Sequence, residues 1–328
     1  MVTQQQIARK LGVSRQLVTF ALAGYPKVSE ASRKRIVAAA EKMGYRANPH
    51  ARALKRARTG IISLWVPNQI STYYNQVVRE LSQLAKKAGS ELIVSEVGAS
   101  DASQILSHVP VDGRLVVDVP EQVQVYGQTP NVPQVPAVSM GAHCYEEIDY
   151  VKVDLLAGTT AAMKHLLESG FRRIAHATFV REDSVQASRR AGYIKALREA
   201  GIQPEFIYHP FSEGQRPIVR QLIQTYILDH GRPEAIFCHS DDAAMAIYRG
   251  LCDMKLRVPQ DVALVGCDGI PDTEYLECPL TTIVQPIKQM CSVAWQFLMH
   301  RIECPGASHQ HVDLVPELVV RASSRQAS

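Results

Sequence analysis

The chain has 328 residues, 46% of them hydrophobic and 21% charged, with a formal net charge of +4 at pH 7. No run of about 18 apolar residues occurs and the N-terminus lacks an apolar signal region, so the sequence predicts a cytoplasmic protein with no membrane span. Seven cysteines, at positions 144, 238, 252, 267, 278, 291 and 304, show no C-x-x-C spacing and read as reduced thiols, not as a disulfide frame or zinc site.

The charge is unevenly placed. Residues Met1 to Gly60 hold 13 of the 36 basic residues and only two of the 32 acidic ones, Glu30 and Glu41, a balance of +11 that leaves −7 for the rest of the chain. A basic segment attracts phosphate by releasing condensed counterions, whereas an acidic body gains nothing from a polyanion. Within this segment Thr3 with Gln6 forms a capping pair ahead of an apolar stripe of Ile7, Ala8 and Leu11, and Gly12 supplies the turn. Ser14 caps a second helix with Val18, Ala21 and Leu22 inward. Ser29 caps a third that carries Ile36, Val37, Ala39 and Ala40 and closes at Gly44. Two short helices across a tight turn, braced by a third, predict a helix-turn-helix; a purely structural helical bundle is the alternative.

Here the residues resemble a known family. Ile7-Ala8-Arg9-Lys10-Leu11-Gly12-Val13-Ser14, Val28-Ser29-Glu30-Ala31-Ser32-Arg33 and Ala38-Ala39-Ala40-Glu41-Lys42-Met43-Gly44-Tyr45 are similar to the head of the lactose repressor family (LacI/GalR). The likeness runs on through Asn48, Ala51, Arg52 and Leu54 to the closing Pro316-Glu317-Leu318-Val319-Val320-Arg321. The second helix is then the one that enters the major groove, where Arg15 suits guanine, Gln16 suits adenine, and Thr3, Ser14, Thr19, Ser29 and Arg33 are further contacts. Relatives commonly carry Arg where this chain has Phe20, which either meets a thymine methyl or sugar or folds onto the domain surface.

Residues 48–59 form a second DNA-facing device. Asn48 is a good N-cap, Pro49 suits the first helical position, and Ala51, Arg52, Leu54 and Lys55 make a helix too short to hold its shape alone. The resemblance implies a hinge helix that pairs with its mate on the operator, with Leu54 as the minor-groove wedge, an action an apolar side chain can perform by unstacking a base step. A plain linker is the alternative.

Beyond Gly60, strands and helices alternate: Ile61 to Val66, Tyr74 to Ala88, Leu92 to Val94, Arg114 to Val117, Leu155 to Ser169, Arg173 to Ala175, Ala187 to Ala200, Ile218 to Asp229, Ala235 to Phe237, Asp242 to Met254 and Val262 to Val265. This pattern predicts an α/β body with parallel sheets covered on both faces, and its length predicts two subdomains with a ligand between them. The resemblance implies a two-lobed, periplasmic-binding-protein-like body at 60–328, with lobe one at about 60–154 and 285–316 and lobe two at about 155–284 and 317–328, behind a 1–47 head.

Strand ends are where a ligand sits in such sheets. They offer Asp118, Ser240 with Asp241, and Asp268, while Asn68, Gln69 and Tyr73 follow the first strand. By resemblance, Arg189 and Asp268 are effector-binding positions. Arg with several Asp and amides suits vicinal oxygens, which points to a carbohydrate; a structural Arg189–Asp268 ion pair is the alternative. His143 beside Cys144, and His309 with His311 after Cys304, lack further ligands at metal spacing, and no metal or cofactor is expected. The chain has no G-x-x-x-x-G-K-[ST], G-x-G-x-x-G or G-x-S-x-G, so no catalytic residue is assigned. The expectation is a non-enzymatic regulator, most simply a repressor, with double-stranded palindromic DNA, a small polar effector and a second copy of the chain as partners. A solute-binding or sugar-modifying protein, or an architectural DNA binder, are the rivals. The polar tail from Ala322 to Ser328 holds no heptads, so a dimer is expected.

Overall fold

The computed structural model describes residues 2–22, 25–45, 58–67, 71–97, 109–119, 121–124, 134–179, 188–210 and 215–325. The chain divides into two compact units, Met1–Thr59 and Gly60–Ser328.

The head contains α1 (Gln4–Leu11), α2 (Arg15–Leu22) and α3 (Glu30–Lys42). Each start has a local cause. The Thr3 N–H donates to Gln6 Oε1 at 2.8 Å while Gln6 N–H returns to Thr3 Oγ1 at 3.3 Å, Leu17 N–H donates to Ser14 Oγ at 3.1 Å, and Ser32 N–H donates to Ser29 Oγ at 3.4 Å. Gly12 ends α1 at φ 64, a left-handed conformation that strains any residue with a Cβ. Ile7, Ala8, Val18, Ala21, Val28, Ile36 and Ala40 bury themselves between the three helices. So small a core needs polar braces, and Arg35 donates to the Leu11 carbonyl at 2.6 Å.

The body is built on two six-stranded sheets. The first contains β1 (Ile61–Val66), β2 (Glu91–Glu96), β3 (Gly113–Val117), β4 (Ala137–Gly141), β5 (Asp149–Val153) and β11 (His311–Leu314), in the order β11-β5-β4-β3-β1-β2. All its pairs are parallel. The second contains β6 (Ile174–Thr178), β7 (Glu205–Tyr208), β8 (Ala235–Cys238), β9 (Ala263–Asp268), β10 (Thr281–Val284) and β12 (Glu317–Val319), in the order β12-β10-β9-β8-β6-β7. Only β12 runs antiparallel, against β10. The chain crosses between the sheets after β5, after β10, and between β11 and β12.

Strands β3, β6, β8 and β9 are buried along their whole length, which follows from helices covering both faces of a parallel sheet. In lobe one α4 (Thr72–Ala88) and α9 (Ile287–Glu303) pack together, and α9 also covers β3, β4 and β5. In lobe two α5 (Leu155–Glu168) packs with α6 (Ser188–Glu199), and α7 (Gln215–His230) with α8 (Asp241–Asp253). Arg301 of α9 is nearly buried and grips Asp149 of β5 through two bonds of 2.7 and 2.9 Å, and it also donates to the carbonyls of Pro305 and Ser308, which fastens the turn leading into β11. Among the described residues no helix is long and apolar enough to cross a membrane.

Candidate nucleic-acid interface and ligand cleft

In the head, Arg15 and Gln16 stand exposed on the first turn of α2. Neither α1 nor α2 carries an acidic residue in its first turn, so both N-termini present positive dipole ends without a competing anion. Thr19 is half-buried, and its hydroxyl is shared between Gln4 Oε1 at 2.9 Å and the Arg15 carbonyl at 3.0 Å, which fixes the start of α1 to the middle of α2. Phe20 is half-buried and packs on the head core, with its ring 5.1 Å from that of Tyr25. Arg33 donates to the Tyr25 carbonyl at 2.8 Å and so holds the approach to α3. Thr3, Ser14 and Ser29 serve as helix caps. Asn48, Ala51, Arg52, Leu54 and Lys55 lie outside the described residues, as do Asn68 and Gln69.

The cleft of the body forms where the C-terminal ends of the two sheets' strands face each other. Lobe one contributes Tyr73 and Tyr74 from the first turn of α4, Asp118 after β3 and His143 after β4. Asp118 accepts from the His143 N–H at 3.0 Å and from the Tyr74 hydroxyl at 3.3 Å. Lobe two contributes Arg189 at the head of α6, His239 after β8 and Asp268 at the end of β9. The lobes are joined by hydrogen bonds. The Tyr73 hydroxyl donates to Gln285 Oε1 at 3.2 Å, and Gln285 Nε2 donates to Asp268 Oδ1 at 2.9 Å. Nearer the rim, the Thr72 N–H donates to Asp242 at 3.3 Å, and Arg216 holds the same carboxylate and reaches Thr72 Oγ1 at 3.4 Å.

The electrostatics of this cleft are uneven. Arg189 is only 8% exposed, yet its Nη1 has no hydrogen-bond partner. Burial works against its charge, and Cys267, Asp268 and Asp118 outweigh that. Burial, and then the nearby Asp241, push the Asp268 carboxyl well above the usual carboxylate range in spite of Arg189. Arg189 acts on Asp268 through space without a hydrogen bond, so the two do not form the structural ion pair that was the alternative. An unpartnered buried donor costs about 1–3 kcal/mol, and both Asp268 and Asp118 act on this guanidinium.

Two of the expected ligand residues are engaged by the fold. Ser240 Oγ caps α8 by accepting from the Ala243 N–H at 3.2 Å. Asp241 Oδ2 accepts from the N–H groups of Gly269 and Ile270 at 2.7 and 2.9 Å, and Oδ1 from Thr282 Oγ1 at 2.6 Å. With its acceptors spent, Asp241 is a clamp between α8, β9 and β10. Burial raises its pKa to about 6. The sequence alone does not point to Tyr74, His143, His239 and Gln285 as cleft residues. His239 follows β8, whose apolar run is legible, so its signal is present; Gln285 follows β10 (Thr281–Val284), which the sequence reading does not include.

A helix-turn-helix with exposed polar side chains on its second helix, carried by a body with a polar cleft between two sheets, defines a ligand-responsive DNA-binding protein. The model for bacterial regulatory proteins of the lacI family matches residues 3–48, and that for the periplasmic binding protein-like domain matches residues 163–324. The ribose operon repressor of Haemophilus influenzae is 30% identical, over 98% of this chain and 98% of its own length. That of Escherichia coli (strain K12) is 28% identical, over 99% of this chain and 100% of its own. The lac repressor dimer bound to operator and the anti-inducer ONPF shares the fold, with a TM-score of 0.82 at 23% identity and 99% of both chains covered. The chain belongs to the lacI family of bacterial regulatory proteins. It is a DNA-binding transcriptional regulator.

Proposed function

We propose that this regulator is a repressor whose hold on its operator is set by a small polyhydroxylated metabolite, a sugar or sugar derivative, bound between the two lobes. Arg189 carries this reading: a buried guanidinium nitrogen without a partner, opposite Asp118 and Asp268, fits a ligand that accepts from the arginine and donates hydroxyls to the carboxylates. The relatives' name, ribose operon repressor, supports a pentose as the first compound to try. Because Tyr73, Thr72 and Gln285 already link the lobes across the cleft, a ligand there changes the energy of lobe closure directly. The effector is to be sought by calorimetric titration with pentoses, hexoses, polyols, nucleosides and nucleobases, followed by DNA binding with and without the hit. Tight binding of a nucleobase with no response to any sugar or polyol would replace this reading.

The protein acts as a cytoplasmic dimer on a palindromic site. One small head buries too little surface for specific binding, and two-fold pairing doubles it. Ile218 and Leu228 of α7, and Tyr275 in the segment after β9, are exposed large apolar side chains on lobe two and support a pairing surface there. Residues 48–59 serve as the hinge, with Leu54 as the wedge in the minor groove.

A further inference from the structure

In the head, one side chain of α1 is tied to the exposed stripe of α2. Gln4, on the first turn of α1, is half-buried, and its Oε1 accepts from the Thr19 hydroxyl of α2 at 2.9 Å. Thr19 stands one turn beyond Arg15, whose carbonyl lies 3.0 Å from the same hydroxyl, and residues four apart share a helix face. The Gln4 amide therefore rests beside the stripe of α2 that carries Arg15, although it comes from another helix.

An amide has two ends with opposite chemistry. With Oε1 turned to Thr19, Nε2 is the outer end; it is not buried, and it bonds to no other described residue. It carries two N–H donors and accepts nothing. Fixing one end of the side chain also removes rotamer freedom that binding would otherwise have to take away. The surroundings admit a polyanion. Neither α1 nor α2 has an acidic residue in its first turn, and the acidic residues before Gly60 are Glu30 and Glu41, both in α3. The same bond withdraws Thr19 from base contact, since its one hydroxyl hydrogen is used inside the head.

We propose that Gln4 is a further base-reading residue, donating from Nε2 to the edge of one base in the major groove, with Thr19 as the positioning residue that holds it there. What it reads follows from its being a donor. In the major groove guanine offers O6 and N7, adenine N7 and thymine O4, whereas cytosine presents its N4 amino donor alone. A fixed N–H donor accordingly accepts three bases and rejects cytosine, where two donors would meet. Arg15 and Gln16 choose their bases, and Gln4 excludes one. This rests on α2 being the helix that enters the groove.

The test is selection of sites from a randomised duplex library by the full-length protein and its variants, with affinities measured on the selected site and its single-base changes. Gln4 lies outside the apolar core of the head, so its substitutions leave the fold in place, which melting curves check. The wild type is expected to bind cytosine about tenfold (1.4 kcal/mol) more weakly than its preferred base at one position of each half-site, and Gln4→Ala to accept cytosine there. Gln4→Glu keeps an oxygen for Thr19 and turns an acceptor outward. Its preference at that position is expected to move to cytosine, whose N4 donates to a carboxylate. Thr19→Val is expected to blur the same position and Thr19→Ser to restore it. A hydroxyl that merely braced the head would give no loss confined to one base.

A Gln4→Ala variant that selects the wild-type sequence unchanged overturns the proposal. So does one that loses affinity equally on every sequence, as the loss of a phosphate contact would give. A wild type that requires cytosine at the position sensitive to Gln4 overturns it as well, because that needs the amide the other way round. If Arg15→Ala also leaves the selected sequence unchanged, α2 is not the groove helix, and that reading and this one fail together.

Discussion

Gly141 at the end of β4 and Asp118 at the end of β3 are matched to each other: a Cβ on Gly141 would lie 2.4 Å from Asp118 Oδ1 and 2.7 Å from its Cγ. Gly141 also adopts φ 113, and Asp118 is itself held at φ 53. The carboxylate thus occupies space that any side chain on Gly141 would take, at two adjacent positions where the backbone is already unusual.

Gly141→Ala is accordingly expected to displace the Asp118 carboxylate, breaking its bonds to the His143 N–H and Tyr74. The body should remain folded and lose effector affinity by at least about tenfold, or 1.4 kcal/mol. Titration of the effector against the variant, with circular dichroism to check the fold, measures this. Undiminished affinity would remove Asp118 from the ligand site.

A second prediction concerns the link between the lobes. Gln285 accepts from Tyr73 in lobe one and donates to Asp268 in lobe two, so Gln285→Leu removes both bonds at once. Asp268 loses a donor that favours its charged form, and its already raised pKa should rise further. Effector affinity is expected to fall more steeply in Gln285→Leu than in Tyr73→Phe, which spares the bond to Asp268. Equal losses in the two variants would show that Gln285 acts only by joining the lobes.

Much of this architecture was legible in the residues, and the exceptions have physical causes. The head is a short-range object: Thr3 with Gln6, Ser14 and Ser29 state where each helix starts, and Gly12 where one ends. The alternation of helices with Ile61–Val66, Gly113–Val117, Ala235–Cys238 and Ala263–Asp268 marks a parallel sheet because those strands are apolar on both faces. Strands β5, β11 and β12 lack that signature, since they lie towards or at a sheet edge and are partly exposed. Helix α9 is legible in principle, since Ile287, Met290, Cys291, Ala294, Trp295 and Leu298 are buried at helical spacing, but Arg301 interrupts that face because it serves Asp149. At the cleft, a polar residue after a strand can face a ligand or serve the next helix. Ser240 and Asp241 serve the fold and Asp268 faces the cleft, a difference made by bonds to Gly269, Ile270 and Thr282 that are remote in sequence.

For the head, Arg15 and Phe20 should separate cleanly. On a site selected from a randomised duplex library, Arg15→Ala is expected to cost about 1–3 kcal/mol and little on unrelated DNA. Phe20 packs on Tyr25 and the head core, so Phe20→Ala should lower the melting temperature of the head and leave the selected base preferences as they were. A changed consensus from the Phe20 variant would return that residue to the groove.

The last prediction is a pH dependence of stability. Burial favours the neutral form of the Asp149 carboxyl, but the two bonds from Arg301 and one from the Gln310 N–H outweigh it and hold the pKa below its ordinary value. A carboxyl with a depressed folded pKa stabilises the native state fully above its unfolded value of about 3.9, and that stability is lost as pH falls through the folded value. At pH 7, Asp149→Asn leaves the Arg301 guanidinium charged and buried without its counter-ion, which is expected to cost about 3–5 kcal/mol. Below about pH 4 the wild type should lose stability more steeply than the variant, because only the wild type has this proton left to take up. Urea unfolding of both proteins at a series of pH values from 7 down to 3 gives the two curves. They should converge towards the acid end, since protonation makes Asp149 a neutral group like the amide; curves that stay parallel would mean that the pair contributes no pH-dependent stability and that Arg301 acts through the carbonyls of Pro305 and Ser308 instead.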